Sequence, residues 1–197
     1  MTTSASCQSG SPSFESSLRE LSDVLAASIV LAPLVAQTGC LILDSLRQGG
    51  QLLTCGNGGS AADALHLAEE LVGRYRRERR ALPAVCLAAD PTALTCIGND
   101  YGFEQVFSRG VEALGRRGDV LVAFSTSGNS ANILAALRAA RERGVVSILL
   151  SGKDGGQARV LADHALIVPS ANTARIQEVH TLVLHQWLEA IDAHPWN

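Results

Sequence analysis

Two pairs of side chains that could bind a divalent metal lie at helical spacing in two distant segments of the chain. His66 and Glu70 are four residues apart, and Gln177 and His185 are eight residues apart. At about 100° per residue, each pair lies along one face of its helix. Two facing helices could therefore offer these groups to one ion. His180 lies near the face of Gln177, so spacing does not exclude it, and helical histidines also serve structural roles.

A second candidate site is the hydroxyl-rich segment FSTSGNSAN, between an apolar strand and a helix. Ser125, Thr126, Ser127 and Ser130 place four hydroxyls within six positions. Hydroxyls and the free N–H groups of a helix start suit a phosphate monoester, which needs many donors. One serine is enough to cap a helix, so four favour phosphate binding over capping alone.

A third segment, CGNGGS at residues 55–60, also joins a strand to a helix. Its glycines allow the backbone to approach a ligand, and Ser60 could cap the helix. A tight turn without a ligand explains the same pattern. In open α/β sheets, however, ligands lie beyond the carboxyl ends of the strands where the strand order reverses. The strands over 51–56 and 120–125 would flank that point in a flavodoxin-like order.

Two further polar segments carry weaker signals. The run GRYRRERR at residues 73–80 is short and contains one aromatic residue, which predicts a solvated loop rather than a nucleic-acid site. Arg74 is its best candidate for contacting an anionic substrate. The segment SGKDGG reads as a turn in which Asp154 caps a helix, with a possible role for Lys153.

The elements that must position these groups alternate between strand and helix. A helical pair over residues 14–48 precedes them, and a long helix ends the chain. Alternation with apolar strands predicts a parallel sheet covered on both faces, in one domain over 14–197 after a disordered lead-in over 1–13. The predicted strands cover residues 51–56, 83–88, 120–125, 145–152 and 164–170.

Composition narrows the class of protein. The net charge of −3 gives no reason to expect nucleic acid or an anionic membrane as a partner. Five cysteines without a C-x-x-C pair favour reduced thiols in a cytosolic protein, and the polar first residues do not resemble a signal peptide. Residues 24–43 are apolar and long enough to span a bilayer, but Pro33 and the lack of a basic flank favour helices buried in a core or a subunit interface.

Several long segments together resemble the bacterial phosphoheptose isomerases, of the sugar isomerase (SIS) domain superfamily. They are CGNGGSAADALHLAEELVGRY, the stretch from CIGNDYGF to RAARERG, SGKDGG and ARIQEVH, within about residues 40–192. The resemblance implies a three-layer α/β sandwich with a five-stranded parallel sheet and an N-terminal helical pair. It also implies a homotetramer that converts sedoheptulose 7-phosphate to D-glycero-D-manno-heptose 7-phosphate for lipopolysaccharide or capsule, with one zinc ion per subunit.

The resemblance also implies roles for individual residues. The zinc ligands fall on His66, Glu70, Gln177 and His185, and the catalytic groups on Glu70 and His185. The substrate-contacting positions fall on the two loops and helices, at Asn57, Gly58, Gly59, Ser60, Glu70, Asp100, Ser125, Thr126, Ser127, Ser130 and Gln177.

The expected chemistry is proton transfer through a cis-enediol, with Glu70 as the base and a metal polarising the carbonyl. His185 is either the partner acid and base or a metal ligand. One alternative is an isomerase for another sugar phosphate, such as arabinose 5-phosphate. Another is a non-catalytic protein of the same fold that binds a sugar phosphate or the replication initiator. A non-catalytic relative of the latter kind lacks the glutamate and the last histidine of the motif, and both are present here.

Overall fold

The sheet that positions the candidate loops consists of five parallel strands in the order β2-β1-β3-β4-β5. A computed structural model describes residues 12–196, so most of the lead-in expected over 1–13 lies outside the described residues. The strand order confirms the predicted flavodoxin-like reversal between β1 and β3. The strands are β1 (Leu52–Gly56), β2 (Ala84–Cys86), β3 (Val120–Ser125), β4 (Val146–Gly152) and β5 (His164–Val168).

Helices cover both faces of this sheet. The two predicted N-terminal helices are present and are joined by a 3-10 turn at Ser28–Leu31. One helix, α4, was not predicted, because its proline start and mixed polarity give little periodic signal. The helices are α1 (Phe14–Ala27), α2 (Ala32–Arg47), α3 (Gly59–Val72), α4 (Pro91–Tyr101), α5 (Ser108–Leu114), α6 (Ala131–Arg143) and α7 (Thr173–Ala193).

Alternate residues of the strands feed two separate aliphatic cores. Leu52 and Val122 pack with α2, α3 and α7, around the buried ring of Trp187. Leu53 and Ala123 pack on the other face with α5 and α6. Because β1 and β3, and almost all of β4, are buried on both faces, their sequences are mostly apolar rather than alternating. The expected three-layer sandwich is confirmed.

Two predicted helix caps are wrong. Ser60 lies inside α3, because the helix begins at Gly59 and Gly58 occupies the cap position with φ 56°, which favours glycine. Asp154 accepts a hydrogen bond from the N–H of Gly156 at 3.0 Å, so it closes a turn and caps no helix. The predicted stop of α6 at Gly144 is confirmed by a left-handed φ of 69°.

The N-terminal helical stretch leaves much of its apolar surface open. Phe14–Arg47 is long and apolar enough to cross a membrane by length and composition, and 17% of its most apolar window is buried within the chain. Helices that pack against another chain meet the same criterion. Between α2 and α7 this surface forms an apolar groove of about 560 Å³, whose walls include Ile29, Val35, Leu182 and Trp187.

Candidate functional site

The two predicted loops meet at the carboxyl edge of the sheet. Gly56 at the end of β1 pairs with Phe124 near the end of β3, so the following residues start side by side. The amides of Asn57 and Asn132 exchange two hydrogen bonds, at 2.9 and 2.8 Å, and lock the loops together. Asn132 was not among the residues predicted from the sequence. The sequence does show an amide side chain in the first turn of α6. It does not show that this amide pairs with Asn57, which lies 75 positions away.

The hydroxyls of the second loop are only partly used in holding its own shape. Ser125 is buried, and its Oγ accepts a hydrogen bond from the N–H of Gly128 at 3.1 Å. Ser127 Oγ accepts a weaker one from the N–H of Asn129 at 3.3 Å. Ser130 occupies the cap position of α6, yet its side chain makes no capping bond. The arrangement therefore leaves donors at a helix start for an anion.

The SGKDGG turn supports this loop from behind. A Cβ on Gly128 would overlap the carbonyl oxygen of Gly155, so the two backbones touch. The N–H of Ala158 donates to the Gly128 carbonyl at 2.9 Å. Lys153 has a φ of 56°, uncommon for a residue with a side chain, and it is exposed. The turn thus fixes the loop's backbone.

Three of the four predicted metal ligands, His66, Glu70 and His185, lie together at the interface of α3 and α7, and Gln177 lies nearer the start of α3. His66 Nε2 lies 3.4 Å from Glu70 Oε1, and the rings of His66 and His185 meet edge to face with centroids 5.1 Å apart. Gln177 lies against the start of α3, where a Cβ on Gly59 would be 2.5 Å from its Nε2. Gly59 therefore leaves the space that the Gln177 amide occupies.

The donor atoms of this cluster suit a divalent cation such as zinc. Potential ligand atoms of His66, Glu69 and Glu70 lie within 4.8 Å of one another. His185 faces this group from α7, so imidazole and carboxylate donors approach one space from two helices. Glu69, which is exposed and adjacent to Glu70, was not predicted as a ligand from the sequence.

Asp63 links the two ligand-bearing helices one turn earlier in α3. It is buried, and its Oδ1 accepts a hydrogen bond from Thr181 Oγ1 of α7 at 3.1 Å. Burial raises the pKa of this carboxyl, although the Thr181 bond and the nearby His66 oppose the increase. In the sequence, the position of Asp63 three residues before His66 was the signal that could have identified it. Its hydrogen-bond partner Thr181 lies 118 positions away on α7, so the contact itself could not be predicted.

His180, which spacing could not exclude, turns away from the cluster. It is fully buried, its Nε2 lies 3.2 Å from the Ser151 carbonyl, and its ring packs on Phe124. Burial lowers its pKa to about 4, so it is neutral at neutral pH. His180 therefore braces α7 on β4.

Two predicted contact residues lie apart from the cluster. Asp100 is exposed at the end of α4, where it accepts from the Asn99 amide and the Cys96 thiol. Arg74 is exposed and lies 4.0 Å from Glu78. Within residues 12–196, no hydrogen bond or ion pair joins either side chain to the His66–His185 cluster.

Known proteins provide an independent comparison. The SIS domain family matches residues 14–152. The phosphoheptose isomerase 1 of Campylobacter jejuni is 52% identical over 90% of this chain and 96% of its own length, and a Helicobacter pylori phosphoheptose isomerase is 50% identical over 83% and 85%. The phosphoheptose isomerase structure from Neisseria gonorrhoeae superposes with a TM-score of 0.87 at 46% identity, covering 91% of this chain and 97% of that one.

Proposed function

This chain belongs to the SIS-domain family, among the phosphoheptose isomerases, and on that premise we propose that it converts sedoheptulose 7-phosphate to D-glycero-D-manno-heptose 7-phosphate. The product would supply the heptose of a lipopolysaccharide or capsule. One observation carries the assignment: the His66–Glu70 pair faces His185 across two helices, and α3 starts beside the loop that holds the free hydroxyls. An aldose–ketose isomerase that acts on a sugar phosphate needs both a proton-transfer group and a phosphate-binding site.

The residues at the interface of α3 and α7 supply both metal ligands and proton-transfer groups, and Glu70 and His185 are candidates for both roles. We assign His66, Glu70, Gln177 and His185 to one zinc ion per subunit. The proximity of His66 to Glu70 and His185 supports three of these ligands, and the resemblance of the motif around Gln177 supports the fourth. When bound, the ion supplies Lewis acidity at the substrate carbonyl oxygen. Glu69, at the edge of the cluster, is exposed and could lie near the ion without being required.

Glu70 is the proposed base. Its side chain is 18% exposed, so substrate binding can exclude most remaining water from it. It would remove the proton from C1 and return a proton at C2 of the cis-enediol. His185 stays available as the partner acid and base, or as a ligand. The further proposed substrate contacts are Asn57, Gly58, Gly59, Ser60 and Asp100. Asp100 would reach a substrate only in an assembly of several subunits.

The second loop would hold the phosphate far from the reacting carbons. Thr126, Ser127 and Ser130 are half-buried at the loop, and Ser125 fixes its turn. Binding energy gained there orients the sugar at Glu70.

We further propose a cytoplasmic homotetramer without nucleic-acid or membrane partners. The exposed apolar surface around the turn between α1 and α2 supports subunit contacts, because Ile29 and Val30 are 75% and 73% exposed in the single chain. Free thiols at Cys40, Cys55 and Cys86 support a reducing compartment.

The test is a product assay with purified protein, with and without a chelator. Wild-type protein should form the aldose, and chelation should lower kcat while the circular dichroism spectrum stays unchanged. Glu70→Gln should lower kcat by roughly 10²–10⁴, as for loss of a general base, and should still bind substrate. Binding of sedoheptulose 7-phosphate without turnover by metal-loaded wild-type protein would favour the non-catalytic alternative.

A further inference from the structure

The basic segment, residues 73–80, contains one arginine that is not solvated. Arg79 has a side chain 3% exposed, contrary to the prediction of a solvated loop. Its Nη2 donates to the carbonyl of Glu70 at 2.6 Å and its Nη1 to that of Leu71 at 2.9 Å. Both carbonyls belong to the last turn of α3, where the helix itself provides no donor. Arg79 therefore caps the end of the helix that carries the proposed base.

Asp192 on α7 completes this arrangement. Its Oδ1 accepts from Arg79 Nε at 3.2 Å, while Oδ2 accepts from the N–H groups of Arg76 and Arg77 at 2.8 and 2.9 Å. Burial alone would raise the pKa of this carboxyl, but the two N–H groups and the Arg79 guanidinium together lower it. The carboxylate is thus charged, and both of its oxygens accept hydrogen bonds.

The same segment also contacts the other side of the proposed site. Tyr75 stacks on His185 with ring centroids 5.8 Å apart and an interplanar angle of 27°. The next two residues are those whose N–H groups are held by Asp192. Asp192 therefore fixes the backbone that carries Tyr75, and Arg79 fixes the turn that carries Glu70.

We propose that Arg79 and Asp192 are positioning residues that set the placement of Glu70 and His185 across the interface of α3 and α7. Stability alone is a poor reason for this pair, because desolvating two charges offsets most of their attraction. Its hydrogen bonds, however, reach the backbone of the proposed base and the segment packed on the opposing histidine. The inference rests on the proposed function for its catalytic consequence, but its effect on a bound ion does not require turnover.

The matched comparison is between Asp192→Asn and Asp119→Asn. Asp119 is equally buried and also accepts from two backbone N–H groups, those of Gln51 at 3.0 Å and Arg116 at 2.9 Å. It lies directly before β3, and within residues 12–196 no hydrogen bond or ion pair joins its side chain to α3 or α7. Both variants should lower the melting temperature, but only Asp192→Asn should disturb the cluster.

The readouts are the Zn²⁺ dissociation constant, from competition with a chromophoric chelator, and kcat. Asp192→Asn should weaken Zn²⁺ binding and lower kcat by about 10–100-fold each, as expected when partners of metal ligands are lost. Asp119→Asn should leave both close to wild type. Arg79→Lys is a milder change, to be used if Asp192→Asn does not fold. It keeps the positive charge but loses the planar guanidinium, so it should retain most of the stability and still lose Zn²⁺ affinity.

Equal effects of Asp192→Asn and Asp119→Asn on both readouts, or wild-type values in Arg79→Lys, would overturn the positioning role. Wild-type protein that binds Zn²⁺ but does not isomerise the sugar phosphate would overturn the proposed function instead. In that case, the contrast in Zn²⁺ affinity still decides the role of Arg79 and Asp192.

Discussion

Ser130 combines a cap position with a hydroxyl that performs no capping. Ser130→Ala should therefore leave the melting temperature unchanged but raise KM by about tenfold, the scale of one charge-assisted hydrogen bond to phosphate. Steady-state kinetics with the heptulose phosphate and thermal unfolding measure the two effects.

Asn172→Ala provides the control for that substitution. The Asn172 side chain does cap its helix, α7, by accepting from the N–H of Ala174 at 3.0 Å. Its loss should cost about 1 kcal/mol of stability. A lowered melting temperature and normal KM in Ser130→Ala would mean that this hydroxyl is structural.

His180 makes stability depend on pH through its burial. Its pKa is about 4 in the folded protein, against 6.5 ordinarily. As the pH falls below 6.5, His180 gains a proton in the unfolded chain but stays neutral in the folded protein. The free energy of unfolding therefore decreases until about pH 4. This contribution amounts to about 2 kcal/mol between pH 6.5 and about pH 5.

His180→Gln removes the titration but keeps a donor for the Ser151 carbonyl. Urea unfolding of this variant should therefore show a smaller loss of free energy between neutral pH and about pH 5 than wild type. The raised pKa of Asp63 acts in the opposite direction, but it is present in both proteins. Identical pH slopes would show that folding does not lower the pKa of His180.

At the scale of elements, the second loop depends on its contact with the SGKDGG turn. Gly128 has a φ of 63° and touches Gly155, whereas Gly118 has a φ of 97° and open space within 4 Å of where a Cβ would lie. Gly118→Ala should cost about 1–2 kcal/mol from backbone strain alone. Gly128→Ala should cost roughly 1–3 kcal/mol more, because the neighbouring turn must move.

Urea denaturation measures both free energies, and kinetics measure the second effect of Gly128→Ala. That variant should raise KM by displacing the loop hydroxyls, while Gly118→Ala should not. If the two variants are equally stable and equally active, the two loops do not depend on each other.

The sequence allowed prediction of those elements and residues whose signal is local. Apolar strands, the hydroxyl cluster and the spacing of His66 and Glu70 are each contained within a few turns or strand residues. Asn132, Asp63 and Arg79 could not be predicted, because their partners lie 75, 118 and 113 positions away, respectively. Arg79 looked solvated because its neighbours are all charged, and only the tertiary fold shows which arginine turns inward.

At the scale of the whole molecule, the apolar groove between α2 and α7 needs a cover. Leu182 lines the groove and is 53% exposed in the single chain. Leu182→Glu should therefore split the proposed tetramer, because a subunit contact would bury an unpaired charge. Sedimentation velocity at micromolar concentration measures this.

Val160→Glu is the matched control. Val160 is 78% exposed and lies outside the groove, so the same new charge there should leave the assembly intact. A wild-type monomer, or recovery only in detergent, would refute the proposed assembly.

The strand order also governs when the site can form during folding. The β3–α6–β4 unit pairs neighbouring strands within Val120–Gly152, whereas Gln51 beside β1 meets Asp119 across 68 positions. Contacts between distant residues carry a larger loop-closure cost and form more slowly. The second loop can therefore take shape early, but the His66–His185 cluster must wait for α7, the final helix of the described chain. A nascent chain on the ribosome would thus complete the proposed phosphate loop before the proposed metal site, and the proposed activity would arrive last.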